Sequence, residues 1–502
     1  MKKLFFLILG IFLWAVSAQA AITAPLVAHP VHPAYFKDPT TGKAWLPFCS
    51  HTWDDVQDTS QSTSPPAFDF NGYVSFLQSY GHNCTILWHK DLPTYFNWQG
   101  GTWHMTLHPW ARTGPGNADD GLPKFDFNTF NQPFFDRVLA RAQQLNNVNI
   151  YPIVQIFDGL GVTDDDGAGS GFPFHNGNNI NSINDGGSTG AFTSCSNPIM
   201  GIMDAYVVKL VQTLNSVPGV IWEPQEEGPN GIQTCWVEHV MATIRSTEAS
   251  LTYQHPILYA SINVSFEVDT TLYNSSADIV APKAKFSPLA PSCGTGSPTC
   301  KVNVNDSDHT YFLYLDSAQV NRQYLWQNFM YGNGVMFMDP YIIYIPANSR
   351  NLCASPANGV CTGVDTRWNN FRTNLGQAAS YVSRMNLGAM TPQTSLASTG
   401  YALANKAASG GEALIYQPTG AGGAFTVDLS WTTQQLAVEW FNPTTGAITT
   451  ASNVAGGSSS QSFTAPSGTE DQVLYLKAIV PGASNLTGRG HLLRGRSKRG
   501  QF

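Results

Sequence analysis

Charge is what this chain has least of. Asp, Glu, Lys and Arg make up 12% of its 502 residues, against about 25% in ordinary soluble proteins. The balance is acidic, 34 against 26, for a net charge of −8. With no basic excess to neutralise phosphates, nucleic acid is excluded as the main partner. A hydrophobic share of 42% excludes a disordered chain. The eight cysteines, at 49, 84, 195, 235, 293, 300, 353 and 361, include no CxxC pair. A cysteine-held zinc is therefore not expected, and no metal or other cofactor is predicted. Long apolar runs are also missing, apart from residues 4–16. That run follows Met1-Lys2-Lys3 and precedes Ser17-Ala18-Gln19-Ala20. It is shorter than the roughly 20 residues of a membrane span. A basic start, an apolar stretch and small residues at the end predict a signal peptide cut after Ala20. The expectation is a bacterial protein, secreted or periplasmic, without a membrane span.

An even number of cysteines in an exported chain predicts disulfides. Cys293 with Cys300, and Cys353 with Cys361, would close short loops rich in Gly, Pro, Ser and Asn. Cys195 with Cys235 offers a third pair. Cys49 and Cys84 lie in strand-like apolar runs and are read as buried thiols.

The length suits two or three domains. Eight strand-like runs follow one another, at 44–49, 84–89, 150–158, 219–223 (continuing to Glu226-Glu227), 256–261, 278–283, 301–309 and 334–339. Helical stripes lie between several of them, at 134–145, 199–214 and 235–244. Strand and helix in eightfold alternation predict an α/β fold, a (β/α)8 TIM barrel. The stretches 91–125 and 159–195 read as long loops. After about residue 390 the pattern changes to short alternating strands at 412–416, 425–429, 436–441, 461–464 and 473–476, separated by turns such as Asn442-Pro443-Thr444-Thr445-Gly446. That predicts a small all-β sandwich. The expected division is 1–20 signal peptide, 21–390 barrel, 391–480 sandwich and 481–502 a basic tail.

In such a barrel the C-terminal strand ends form the active face. Two carboxylates there are what glycoside hydrolysis requires, one to protonate the leaving oxygen and one to attack or activate water. The fourth strand offers Glu223, Glu226 and Glu227, the seventh Asp306 and Asp308, the third Asp158 and the eighth Asp339. Glu227 is the first choice for general acid/base. Two adjacent acids, if desolvated, raise each other's hold on a proton. A solvated acidic loop is the plainer alternative. Asp306 is preferred as nucleophile or base, with Asp308 and His309 orienting it, although the order of the two aspartates stays open. A metal-binding loop or a helix N-cap would use the same residues. Trp53, Trp88, Tyr95, Phe96, Trp98, Trp103 and Trp110 could stack on sugar faces or simply pack. His51, Asp54, His89, Lys90, His175, Asn178 and Asn179 could bond sugar hydroxyls.

A family resemblance adds to this. His32-Pro33-Ala34-Tyr35-Phe36, Asp38 to Ala44, Ser50-His51-Thr52-Trp53-Asp54, Phe125-Asp126-Phe127-Asn128, Phe174-His175-Asn176, Asn305-Asp306-Ser307-Asp308-His309 and Phe337-Met338-Asp339-Pro340-Tyr341 resemble the apiosidase-like TIM-barrel glycosidases. Tyr401 to Asn405 and Val438 to Pro443 resemble that family's appended β-sandwich, a domain associated with collagen binding. The resemblance implies a carbohydrate substrate and catalytic acids on strands four and seven. It brings Tyr341 and Asp339 into the set of substrate-binding candidates. The chain departs from the wider clan in two places. Glu226 stands where Asn is usual before the strand-four Glu, and aspartates stand where strand seven usually carries Glu. The alternatives are a carbohydrate-binding protein without catalysis and, behind it, a matrix or collagen adhesin. Oligomeric state is left open.

Overall fold

The structure, a computed structural model, describes residues 20–96, 102–159, 171–184, 199–226, 234–261, 270–282, 288–289, 300–306, 318–339, 341–344, 360–362, 368–418 and 423–480. Its first part is built on eight parallel strands. They are β1 (Phe48–His51), β2 (Cys84–Leu87), β3 (Tyr151–Asp158), β4 (Ile221–Glu226), β5 (Leu258–Ala260), β6 (Ile279–Ala281), β7 (Val302–Asp306) and β8 (Gly334–Met338). Two sheets result, in the orders β4-β3-β2 and β5-β6-β7-β8-β1. A parallel bridge between Trp222 and Ile257 carries β4 over to β5. On the other side Asn83 accepts from the Phe48 N–H through its side chain, at 2.8 Å, and donates its own N–H to the Phe48 carbonyl at 3.3 Å. The order of strands therefore returns to its start. These strands are buried along their whole length, which is why they read as near-continuous apolar runs.

Helices α1 (Phe70–Tyr80), α2 (Gln132–Asn147), α3 (Met200–Leu214), α4 (Thr234–Glu248), α5 (Ala318–Met330) and α6 (Asn369–Arg384) lie between and after the strands. Local chemistry sets their ends. The Asp69 carboxylate caps the start of α1 by accepting from the Gly72 N–H, and Gly81 ends it at φ 74°, a left-handed angle that suits glycine.

Three readings need correction. The run 44–49 is two elements. Ala44–Trp45 pairs antiparallel with Phe36–Lys37, and β1 begins only at Phe48. Pro47 between them has no N–H to donate to a ladder, while its carbonyl accepts from the Val335 N–H at 3.0 Å. The stretch 91–125 is not a plain loop. Thr94–Phe96 and Thr102–Thr106 form a three-stranded antiparallel sheet with Asp58–Ser60, and Trp110–Asn117 pairs with Pro123–Phe130. Finally, Cys49 and Cys84 are not thiols but a disulfide between β1 and β2. Asn83 and Phe48 are hydrogen-bonded where the two strands begin, and the residues that follow them, Cys84 and Cys49, stand with Cα atoms 5.2 Å apart. Cys235 and Cys300 are also disulfide-bonded. Cys195, Cys293 and Cys353 lie outside the described residues.

The C-terminal part is a six-stranded antiparallel sheet. Its strands are β9 (Thr391–Pro392), β10 (Ala402–Asn405), β11 (Glu412–Gln417), β13 (Gln435–Phe441), β14 (Ile448–Ala455) and β16 (Gln472–Ala478), in the order β9-β10-β11-β16-β13-β14, while β12 (Ala424–Val427) and β15 (Gln461–Thr464) form a ribbon. Alternate residues of the central strands enter different cores. Leu414, Tyr416, Val473 and Tyr475 join the core shared with the helices of the first part. Ala413, Ile415, Leu474 and Leu476 pack with Phe425, Val427 and Phe463 of the ribbon. Period-two alternation thus sandwiches the sheet between ribbon and helices. Among the described residues no helix is long and apolar enough to cross a membrane.

Candidate active site

The C-terminal strand ends carry a connected set of polar side chains. His51 is the last residue of β1 and Asp306 the last of β7, and His51 Nε2 lies 3.4 Å from Asp306 Oδ1. The His51 ring stacks on Trp88, just beyond β2, at 5.8 Å between centroids. Lys90 Nζ stands 5.8 Å from the Trp88 ring centre and 3.4 Å from Oδ2 of Asp158, the last residue of β3. Asp158 in turn sits in register with Glu226, the last residue of β4, one strand spacing of about 4.8 Å away. One path of contacts therefore runs from the end of β7, through β1, β2 and β3, to the end of β4.

Neighbouring groups fix this path. Gln57 accepts from the Lys90 N–H at 2.7 Å and donates to the Lys90 and Leu107 carbonyls. Asp55 accepts from the Trp88 N–H at 2.7 Å, and Asp91 from the Asp158 N–H at 2.8 Å. Gln155 accepts from the His89 N–H, and His89 Nε2 lies 3.3 Å from Asp91 Oδ1. All of these groups are buried, including Glu223 and Glu226 at 0% exposure and Asp306 at 3%.

Burial governs the charges. It lifts the Asp54 carboxyl to about 7, with Asp158 adding to the effect and Lys90 and His89 opposing it. Asp55 is raised well above the usual carboxylate range by burial as well, against the hydrogen bond from Trp88 and the charge of Arg141. Asp54 is held at φ 52°, an uncommon angle for a residue with a side chain.

Other expected site residues are engaged elsewhere. Both carboxylate oxygens of Asp339 bind Arg372 of α6. Tyr341 packs on Tyr73 and Phe76 of α1, with ring centres 4.9 and 4.7 Å apart. The Asn179 amide donates to the carbonyls of Pro173 and Ile183 and accepts from the Ile183 N–H. Asn178 likewise bonds Phe172 and Asp119, and His175 stands half-buried in the same loop. Trp110 packs among Phe127, Phe174 and Tyr206, a core role. Trp53 and Trp103 are buried. Glu227, Asp308, His309 and Trp98 lie outside the described residues. Sequence reading missed Asp55, Gln57, Asp91 and Gln155. Gln155 had a signal, being the one polar residue before the strand end in Tyr-Pro-Ile-Val-Gln-Ile-Phe.

Comparison with solved structures agrees with this architecture. A structure described as "Glycoside hydrolase" matches with a TM-score of 0.57 and 13% identity, over 91% of this chain and 97% of its own. A glycoside hydrolase family 5 protein from Bacteroides vulgatus matches with a TM-score of 0.55 and 15% identity, over 90% and 93%. At such identities the likeness is one of fold: a mixed α/β body with a C-terminal sheet domain, as in these glycoside hydrolases. More particularly, residues 390–477 match the family described as "Putative collagen-binding domain of a collagenase". No curated protein matches the chain.

Proposed function

We propose that this chain is an exported glycoside hydrolase on a (β/α)8 barrel, with the barrel in 21–390 and the added sheet domain in 391–480. The carrying observation is the contact path that joins the ends of β7 and β4 through His51, Trp88, Lys90 and Asp158. Paired acids on strands four and seven need such a shared floor. Glu227 is the proposed acid/base. Asp306, held beside His51, or else Asp308, is its partner. The family of the resemblance, the apiosidase-like glycosidases, is the preferred home for this activity. Disulfides at Cys49–Cys84, Cys235 and Cys300 support an oxidising compartment, hence export.

Glu227→Gln and Asp306→Asn should each lower turnover on a cleaved glycan by at least about 100-fold, the usual weight of general acid–base catalysis. Binding should persist. The measurement is sugar release across a panel of plant and bacterial glycans. Near-normal release by Glu227→Gln removes that residue from the mechanism.

A second reading is carbohydrate binding without hydrolysis. The burial of Asp306, the proposed partner acid, at 3% exposure favours it, because an acid that acts on a substrate must meet it. Binding without release by the wild-type protein would decide for it. Collagen adhesion through 390–477 has less support, since one face of that sheet is already packed on the barrel helices.

A further inference from the structure

The candidate active site uses the C-terminal ends of the parallel strands. At their opposite ends lies a cavity of about 500 Å³, the size of a small-molecule site. It opens between the starts of β1, β2 and β3 and one side of helix α6. Trp45 leads into β1, Asn83 leads into β2 and Tyr151 begins β3, while Ser380 and Ser383 belong to α6. Strand β3 runs from Tyr151 at this cavity to Asp158 in the candidate active site, about 23 Å along the strand. The two places are separate.

Most of its wall is already tied down. His82 meets Ser50 Oγ at 3.0 Å and the Arg372 carbonyl at 3.1 Å. The Asn83 amide donates to the Leu46 carbonyl and accepts from the Phe48 N–H. Asp38 accepts from the Thr40 N–H and the Thr41 hydroxyl, both at 2.8 Å, and its charge, after burial, keeps the proton on the nearby Tyr151 hydroxyl. Lys43 donates to the Ser383 carbonyl in the last turn of α6, where a cation suits the helix dipole. Two groups of the wall are left over. The Trp45 indole N–H, a donor, and the Asn149 side-chain oxygen, an acceptor, have no partner among the described residues. Buried polar groups are seldom left so without a reason.

We propose that this cavity binds a short stretch of neutral glycan and so tethers a polymer away from the strand-end acids. A hydroxyl accepts from one leftover group and donates to the other, and a sugar carries several. Thr41, Lys43, Ser380 and Ser383 stand exposed around the mouth and Asn149 is half-buried, so a ligand reaches the wall from solvent. Asp38 and Lys43 are the two charged residues of the lining. Their charges cancel and both are bonded, which favours a ligand without charge. A single carboxylate cannot supply the pair that cleaves a glycosidic bond, so the cavity holds sugar without cutting it. Ala20 also lines the mouth, and its loss at the expected cut widens the opening. The tether rests on the glycoside hydrolase reading, whereas binding here does not need it.

The test uses the full mature protein. The probes are tetrasaccharides of xylan, cellulose, arabinan and galactan, with tetragalacturonate as the charged control. Acetylation of Lys43, followed by peptide mass mapping, reads this mouth and not the strand-end acids. At least one neutral probe should slow it, and the control should not. Trp45→Phe keeps a ring and loses the N–H. Asn149→Gly loses the acceptor and relaxes a left-handed φ of 60°. Each should weaken the protection by up to about tenfold, the weight of one hydrogen bond. Ser380→Tyr, at an exposed helix position, fills the mouth and should abolish the sugar dependence. Sugar release from short substrates should stay unchanged in all three variants, and release from the polymer should fall. No protection by any neutral probe overturns the proposal and, with release intact, leaves the hydrolase reading standing. Protection that Asn149→Gly and Ser380→Tyr both keep overturns it as well. Stronger protection by tetragalacturonate overturns the neutral ligand, and polymer release unchanged by Ser380→Tyr overturns the tether. Protection without any release supports the cavity site and removes the hydrolase.

Discussion

At Asp54 the direction of the proton equilibrium has a consequence for stability. The folded carboxyl titrates at about 7, far above the ordinary 3.8, because burial disfavours its charge. Lys90 and His89 pull the other way without overcoming it, and Asp158 adds to it. Between pH 3.8 and 7 the folded protein holds a proton that the unfolded chain has released. Stability from this group is therefore complete below pH 3.8 and is lost as pH rises through 7. A gap of that size corresponds to about 4 kcal/mol as an upper figure. Asp54→Asn removes the titration. Chemical denaturation from pH 4 to 8 should show the wild type losing more stability over the range than the variant. Parallel pH profiles would show that Asp54 is ionised when folded. At the same scale, Asp339 and Asn179 show what residue type alone leaves open. Residue type marks both as hydrogen-bonding groups, but the partner decides the role. For Asp339 that partner is Arg372, on a helix later in the chain.

Among the elements, the seam between β1 and β2 has the most to lose. The Cys49–Cys84 disulfide closes a loop with a sequence separation of 35, which in the chain-entropy account stabilises by about 4 kcal/mol. Replacing both cysteines with Ala should lower the free energy of unfolding by roughly that amount, read by denaturant titration at neutral pH. A loss under about 1 kcal/mol would mean that Asn83 and the surrounding packing hold the seam unaided. The eight parallel strands were legible because strands buried on both faces must be apolar throughout. The antiparallel strands of the connecting segments were not. Trp110–Asn117 and Pro123–Phe130 are half-exposed hairpin strands interrupted by Gly and Pro, which read as loop. Ile448–Ala455 is almost wholly exposed, so it shows no alternation to detect. Helix α5 escaped for the opposite reason. It buries Asn321, Arg322 and Asn328 beside its apolar residues, with Arg322 bonded to Asp471 of the C-terminal part and Asn328 accepting from Asn305 of β7 and the Leu289 N–H, and polar residues buried on several sides leave no apolar stripe. In the site, strand-end acids could be found by position alone. The Lys90–Asp158 pair and the Gln57 clamp depend on chain segments brought together only by folding.

At the scale of the whole molecule the C-terminal sheet packs on helices of the parallel-strand part as a further layer. Trp326 of α5 packs on Phe441, and Tyr381 of α6 on both Phe441 and Tyr475. At the centre of this contact Arg322 holds Asp471 through Nε and Nη2, at 2.8 to 3.0 Å, and the Tyr416 hydroxyl donates to the same carboxylate at 3.2 Å. Asp471 is 0% exposed. Two charges so placed give little net stability, but breaking the pair strands one of them out of water. Asp471→Ala should therefore cost about 3–5 kcal/mol. Arg322→Met with Asp471→Leu should cost much less, since neither charge is left buried. A double-mutant cycle from denaturant titrations checks this, with a hydrolysis or sugar-binding assay run on the same variants. A single-variant cost below about 1 kcal/mol would mean that water reaches the freed Arg322, as at a surface pair. In that case the sheet is a loosely attached module free to engage a partner. A large cost with unchanged sugar handling places it as a support for α5 and α6, and so for the strand ends those helices hold.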